Sequence, residues 1–164
     1  MKKVKTLRIF LIILIVLWTW LIFSFSSQDG GESSGLSRKV VEFFVKDPDL
    51  VNKIEPYARK IAHFSEYGLG GILFISLFST YNWTDRRKIT TSILLGAWYA
   101  IMDELYQLMI PGRSGALKDV YIDSLGIATG VIGMLIVIKI FEKLKNKMAE
   151  DDNMDLVIKL SVAK

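Results

Sequence analysis

The sequence lacks cysteine and has a single histidine among its 164 residues. Without cysteine the chain has no disulfide bond, no thiolate nucleophile and no cysteine-ligated metal site. Any chemistry therefore depends on carboxylates, His63, lysine, arginine and hydroxyl groups. The sequence also shows no internal repeat and no low-complexity tract. Its length fits one domain.

Hydrophobic residues are abundant instead, at 51% of the chain with 12% aromatic residues. This is more than a soluble domain of this size usually carries. The surplus lies in four runs long enough to cross a membrane, at about Leu7 to Phe25, Ile61 to Tyr81, Ile89 to Ile110 and Val120 to Phe141. We therefore predict an all-α integral membrane protein, built as a bundle of four transmembrane helices.

The first run follows the basic segment MKKVK, and two interpretations fit it. It is either a cleaved secretory signal, with Ser24, Phe25 and Ser26 as a small-x-small cleavage site, or an uncleaved membrane anchor. Its apolar region of roughly 17 residues is longer than the usual signal-peptide core of about 7 to 15 residues. The length favours the anchor.

The formal net charge of +4 does not indicate nucleic-acid binding, because the basic residues lie in short segments beside the apolar runs. Such segments precede the first run, separate the second run from the third at residues 86–88, and follow the fourth run at residues 139–147. This alternation fits the positive-inside rule. We predict a multi-pass protein of the cell membrane with both termini cytoplasmic. Residues 1–147 would form the membrane domain, and residues 148–164 a mobile cytoplasmic tail.

The loop at residues 28–57 carries nearly balanced charges, and we place it outside the membrane. Within it, apolar residues recur at helical spacing, at Leu36, Val40, Val41 and Phe44. They predict a short amphipathic helix on the outer membrane surface. Pro48 is expected to end this helix, and Pro56 to lie in the first turn of the next one.

Glycines give two of the predicted helices a small face. Gly126 and Gly130 are four residues apart, and residues 68, 70 and 71 are also glycine. Small residues let membrane helices approach closely. Packing within one bundle is the preferred interpretation, and a homodimer contact through Gly126 and Gly130 is the alternative.

Polar residues collect near the predicted outer ends of the second, third and fourth helices. They form three sets at helical spacing, which are Arg59, His63 and Glu66, then Asp103 and Gln107, then Asp119 and Asp123. A carboxylate near the bilayer centre costs about 2.5 to 3.5 kcal/mol, so these stripes must face one another or water. We predict an outward-facing polar pocket among the three helices, with Arg59, Lys60 and Arg113 as countercharges to the acidic residues.

The distinctive polar residues lie in five short segments, which are FSSQ at 25–28, AHFSEY at 62–67, DELYQ at 103–107, PGR at 111–113 and DVYIDSLG at 119–126. In order and spacing these segments resemble the VanZ-like membrane proteins, from about residue 10 to residue 140. At position 123 this chain has Asp, where many members have Asn. The resemblance implies an association with low-level resistance to glycopeptide antibiotics, notably teicoplanin, but no defined molecular activity.

Two functional hypotheses fit the pocket, beside a purely structural ion-pair network that fixes the helix register. In the first, a binding protein holds an anionic lipid, a cell-envelope headgroup or a glycopeptide through Arg59, Lys60, Gln107, Arg113, Asp119 and Asp123. In the second, a membrane enzyme modifies a lipid or lipid-linked headgroup, with His63, Glu66, Asp103 and Glu104 as catalytic residues. Membrane lipids are the expected partners in both.

A divalent metal is a variant of the enzyme hypothesis, because hard cations prefer oxygen ligands. Its ligands would be Asp103, Glu104, Asp119 and Asp123. The sequence has no recognised metal-site spacing, so we predict no metal site and leave the cofactor open.

Overall fold

The computed structural model describes residues 2–28, 30–113 and 115–162. It contains the helices α1 (Lys2–Ser26), α2 (Gly30–Phe44), α3 (Pro48–Ser79), α4 (Asp85–Gln107) and α5 (Leu117–Val162). The described residues form no strand, so the predicted all-α class is confirmed. Helices α1, α3, α4 and α5 contact one another in a bundle, and α2 packs against α3. Residue 114, within the turn predicted between the last two helices, lies outside the described residues.

Three helices of the described chain are long and apolar enough to cross a membrane: α1, α3 and α5 over Leu117–Asp151. The prediction of four such helices is confirmed for these three only. The remaining one, α4, has 23 residues, and at 1.5 Å per residue it is about 34 Å long. Length is therefore not what separates it from the others.

Helix α4 differs from the other three bundle helices in composition, because its buried face is polar and its exposed face is apolar. Its buried residues are small or polar and comprise Ser92, Gly96, Ala100, Asp103, Glu104 and Gln107. Its exposed large apolar residues are Leu94, Trp98, Ile101, Leu105 and Leu108, the last of them just beyond the helix. The polar inward face lowers the mean hydropathy of the helix, although the outward face is as apolar as that of a membrane helix.

Helix α3 begins earlier than predicted. Asp47 is its N-cap, and its carboxylate accepts a hydrogen bond from the backbone N–H of Asp49 at 2.9 Å. Pro48 occupies the first turn, where its missing N–H costs nothing. Pro56, which was expected in the first turn, lies inside the helix instead, and that prediction is wrong. The N-cap explains the difference, because Asp47 satisfies the free N–H groups at the true start.

The predicted amphipathic helix is present as α2, although it begins before the predicted apolar segment. Val41 is buried against the bundle. The large apolar residues Leu36, Val40, Phe43 and Phe44 are exposed. Arg38 ties the helix to the start of α3 by donating a hydrogen bond to Asn52 Oδ1 at 2.8 Å. Helix α2 thus packs on α3 and keeps an apolar stripe exposed.

The core of the bundle is centred on Trp18 of α1. The indole makes edge-on contacts with the rings of Tyr67, Phe74 and Tyr99, at centroid distances of 5.9, 5.5 and 5.5 Å. Its Nε1 donates a hydrogen bond of 2.8 Å to the backbone carbonyl of Glu66. The first helix is therefore an integral part of the core rather than a peripheral segment.

Helices α3 and α5 make the most extensive contact in the bundle. Glycines make it possible: a Cβ added to Gly126 would collide with the backbone carbonyl of Phe64, and one added to Gly130 with that of Gly68. The glycines therefore serve packing within the bundle, as the preferred interpretation predicted.

At the end of the bundle where α3 ends and α4 begins, two basic residues join neighbouring helices. Arg8 donates hydrogen bonds to the hydroxyl and the carbonyl of Thr80, at 3.0 and 2.6 Å. Lys139 of α5 forms an ion pair of 2.6 Å with Asp85 at the start of α4. Of the segment 148–164, expected as a tail, the described part continues α5 to Val162, and residues 163 and 164 lie outside the described chain.

We expect Gly130→Ala to destabilise the bundle, because the new methyl group meets backbone rather than a side chain that could move. Overpacking of this kind costs typically about 1–3 kcal/mol. The thermal unfolding midpoint of the purified protein in detergent should fall by several degrees. Gly133→Ala is the matched control, since an added Cβ there has nothing within 4 Å. Equal midpoints for the two variants would contradict the packing described here.

Candidate functional site

A polar pocket lies where α4 ends and α5 begins, against the first half of α3. Its lining comprises Arg59, Lys60, His63, Glu104, Gln107, Gly112, Arg113, Asp119, Ile122 and Asp123. Eight of the ten residues predicted for the site are in this set. Asp103 lies next to it, fully buried and close to His63 and Asp123. The structure thus brings together residues that are up to 64 positions apart, from Arg59 to Asp123.

Glu66 is the predicted site residue that lies elsewhere. It lines a neighbouring cavity, together with Arg59, His63 and Arg113, that is closed on one side by Leu36 and Ser37 of α2. The two cavities share three side chains, so they are adjacent. Nothing in the sequence placed α2 beside the pocket, because the contact depends on how the loop folds back onto α3.

The cations Arg59, Lys60 and Arg113 line one side of the pocket. Within the described part of the chain, none of them is at ion-pairing distance from a carboxylate. Burial lowers the pKa of Arg113, and the positive charge of Arg59 lowers it further. The ordinary pKa of an arginine is so high that the guanidinium group stays charged in spite of this lowering. Asp103, Glu104 and Asp119 act on the pKa of Arg113 in the opposite direction, although none of them pairs directly with it among the described residues.

The turn after α4 holds Arg113 in place. Gly112 has a φ of 72°, a left-handed conformation that suits glycine. Glu104 Oε2 accepts a hydrogen bond of 2.8 Å from the backbone N–H of Ala116. This bond fastens the far side of the turn to α4. Glu104 therefore has a structural role, and the sequence alone did not indicate it.

A chain of hydrogen bonds connects Arg113 to the buried interior. Arg113 Nε donates to Gln107 Oε1 at 3.2 Å. Gln107 Nε2 in turn donates to Asp103 Oδ2 at 2.9 Å and to Ser26 Oγ at 3.4 Å. The amide of Gln107 is thereby fixed in orientation, and it fixes one oxygen of Asp103. Ser26 belongs to the FSSQ segment, for which the sequence alone indicated no contact and no role.

His63, Asp103 and Asp123 form the floor of the pocket. One ligand atom from each lies within 4.8 Å of the other two. His63 Nδ1 is 3.9 Å from Asp123 Oδ1, which is too long for a hydrogen bond. The two aspartates are fully buried, and His63 is partly exposed. We refer to these three residues as the floor cluster.

The four acidic residues that the sequence offered as metal ligands do not all lie together in the structure. Asp103 and Asp123 belong to the floor cluster. Asp119 lines the pocket outside that cluster, and Glu104 is engaged by the turn. His63 replaces them beside the two aspartates. Sequence spacing could not reveal this group, because its members come from three different helices.

In a comparison with protein families, the family model described as VanZ/LLP1 matches residues 10–140. The matched range includes the polar pocket and most of the bundle. Neither the curated proteins nor the solved structures contain a match to this chain.

Proposed function

Since this chain belongs to the VanZ/LLP1 family, we propose that its pocket binds the anionic headgroup of a membrane lipid or of a lipid-linked cell-envelope precursor. The family and the three apolar helices make it a membrane protein. The proposal concerns what the pocket holds and from which side of the membrane it is reached.

In the proposed arrangement the protein is multi-pass, and α4 crosses the membrane as a fourth helix. Its exposed apolar face supports this, since that face suits contact with lipid. The basic residues at 86–88 and 139–147 lie at the end of the bundle opposite the pocket. By the positive-inside rule that end is cytoplasmic, with both termini on that side, and the pocket opens outward.

The observation that carries the proposal is the set of cations lining the pocket. Arg59, Lys60 and Arg113 share the lining with Glu104, Asp119 and Asp123, but among the described residues none of the three cations is within ion-pair distance of a carboxylate. Guanidinium groups bind phosphate through charge-assisted hydrogen bonds, frequently two at a time. A phosphate bridging Arg59 and Arg113 would also remove the repulsion between them. The pocket is thus suited to an anionic group that arrives from the outer leaflet.

The size of the pocket suits the phosphate of a headgroup rather than a whole antibiotic. Its volume is about 70 Å³, whereas pockets for drug-sized molecules have roughly 300–1,000 Å³. A glycopeptide is larger than such a molecule. In this proposal any effect on resistance to glycopeptides such as teicoplanin, or on envelope homeostasis, comes through the headgroup that the pocket holds.

We expect Arg113→Gln to weaken headgroup binding, because a charged hydrogen bond contributes about 1.5–3 kcal/mol, which is roughly ten- to a hundredfold in affinity. The measurement is a titration of purified protein with short-chain phosphatidylglycerol, and with short-chain phosphatidylcholine of the same length. The wild type should prefer the anionic lipid, and Arg113→Gln should lose that preference.

Arg38→Gln is the matched control, because Arg38 is an exposed arginine on α2 outside the pocket. It should bind as the wild type does. Equal losses in both variants would indicate nonspecific attraction by surface charge. A wild type without any preference for the anionic lipid would contradict the proposed function.

Catalysis on the headgroup is a second candidate, and the position of His63 favours it. His63 lines the pocket while its Nδ1 faces Asp123 Oδ1 across 3.9 Å. An imidazole that contacts both a ligand and a carboxylate is suited to moving a proton.

The two candidates predict different lipid compositions. Mass spectrometry of envelope lipids and lipid-linked precursors would compare cells with wild type or His63→Gln at matched membrane levels. Catalysis predicts a lipid species that appears or disappears only with the wild type. Binding alone predicts identical lipids in both. The second result would exclude turnover that depends on His63 in those cells while leaving the binding proposal intact.

A further inference from the structure

The geometry points to a divalent-cation site at the floor of the pocket, with His63, Asp103 and Asp123 as protein ligands. This inference is separate from headgroup binding, since it concerns only the three side chains of the floor cluster. The cation class is one that accepts both an imidazole nitrogen and carboxylate oxygens, of which Zn²⁺ and Mn²⁺ are the natural representatives.

The distances are close to those that a shared ion requires. Two ligand atoms bound at about 2.1 Å to one ion lie at most about 4.2 Å apart. The separation of 3.9 Å between His63 Nδ1 and Asp123 Oδ1 falls within that limit. All three ligand atoms lie within 4.8 Å of one another. Ligand atoms at about 2.1 Å from one ion in a tetrahedral site lie about 3.4 Å apart, so side-chain movements of up to about 1.4 Å would bring the whole cluster onto one ion.

Buried polar atoms without partners give an independent indication of a ligand. Both carboxylate oxygens of Asp123, Asp103 Oδ1 and His63 Nδ1 are buried and have no hydrogen-bond partner among the described residues. Asp103 and Asp123 have no exposed surface at all. Unpaired buried carboxylates are costly, and buried charges in proteins are usually paired or coordinate metals.

The surroundings of Asp103 are those of a metal ligand with outer-shell support. Gln107 donates a hydrogen bond to Asp103 Oδ2, and Oδ1, which has no hydrogen-bond partner among the described residues, is shared between the nearby Tyr67 hydroxyl and any ion. Arg113 orients the Gln107 amide through its other end. Such outer-shell hydrogen bonds commonly orient metal-bound carboxylates. The hydrogen bonds from Arg113 through Gln107 to Asp103 would therefore orient Asp103 as a metal ligand.

The charge balance of the pocket also calls for a cation. Asp103, Glu104, Asp119 and Asp123 are four carboxylates, against three cations at Arg59, Lys60 and Arg113. With all groups charged, and with Glu66 of the neighbouring cavity counted as a fifth carboxylate, the region has a formal excess of two negative charges. A divalent ion at the floor offsets that excess. With three protein ligands, coordination positions also stay open toward the pocket, as in catalytic zinc sites.

The test is metal binding by the purified full-length protein in detergent, stripped with chelator and then titrated with Zn²⁺ or Mn²⁺ in the absence of any anionic lipid. Calorimetry gives affinity, and elemental mass spectrometry gives stoichiometry. We expect about one ion per chain, and at least a tenfold weaker affinity in Asp123→Asn, in line with the 10–100-fold losses seen when even outer-shell partners are removed.

Asp85→Asn is the matched control, since Asp85 lies at the opposite end of the bundle beside Lys139. It should bind the ion as the wild type does. His63→Gln is the second test variant, because His63 is partly exposed and its replacement leaves the core unchanged. It should also lose at least tenfold, at an unfolding midpoint equal to that of the wild type.

Two outcomes would overturn the inference. One is a wild type that binds well under one ion per chain, which would mean that the aspartates are protonated or hydrated instead. The other is a folded His63→Gln that binds the ion as tightly as the wild type. Neither outcome bears on headgroup binding, because no headgroup is present in the titration.

Discussion

The close approach of α3 and α5 is the constraint on which the rest of the structure depends. Gly126 lies against the backbone of Phe64, and Gly130 against that of Gly68. His63 precedes Phe64, and Asp123 lies nearly one turn before Gly126, so this contact sets which polar residues face each other. Packing and function are therefore coupled: the glycines that let the backbones touch also assemble the floor of the pocket.

The pocket separates its charges into two levels. The cations Arg59, Lys60 and Arg113 are partly or fully exposed, whereas the carboxylates of Asp103 and Asp123 are fully buried. Burying unpaired charge within a bundle costs several kcal/mol per group unless a partner satisfies it. An arrangement this costly is rarely retained for stability alone, since intramembrane ionisable residues usually mark a functional site. An anion above and a cation below would satisfy both levels.

Much of the site could be predicted from the sequence because its residues recur at helical spacing on otherwise apolar helices. Charged residues there must face inward, so Arg59, His63, Asp119 and Asp123 were correctly expected to meet. The part that could not be predicted depends on contacts between helices. Grouping His63 with Asp103 and Asp123, rather than Glu104 with Asp119, follows from the packing of α3, α4 and α5 and from the turn that engages Glu104.

The fold shows the same division between local and tertiary information. Apolar runs predicted α1, α3 and α5 as membrane helices, because each run is continuous along the chain. Helix α4 is different, since a polar face that is hidden only in the bundle lowers its average hydropathy. The start of α3 was missed for a local reason, as the Asp47 cap outweighs the signal from Pro56. A cap is visible in sequence, but Pro48 was interpreted as the end of the preceding helix and not as the start of α3.

The side of the membrane on which the pocket opens is the most direct test of this account. The natural chain has no cysteine, so single-cysteine variants can be labelled without background. Lys60→Cys lies in the pocket and Lys143→Cys at the opposite end of the bundle. A membrane-impermeant maleimide added to intact cells should label Lys60→Cys and should reach Lys143→Cys only after lysis. Labelling of Lys143→Cys alone in intact cells would place the pocket in the cytoplasm and contradict an outward-facing headgroup site.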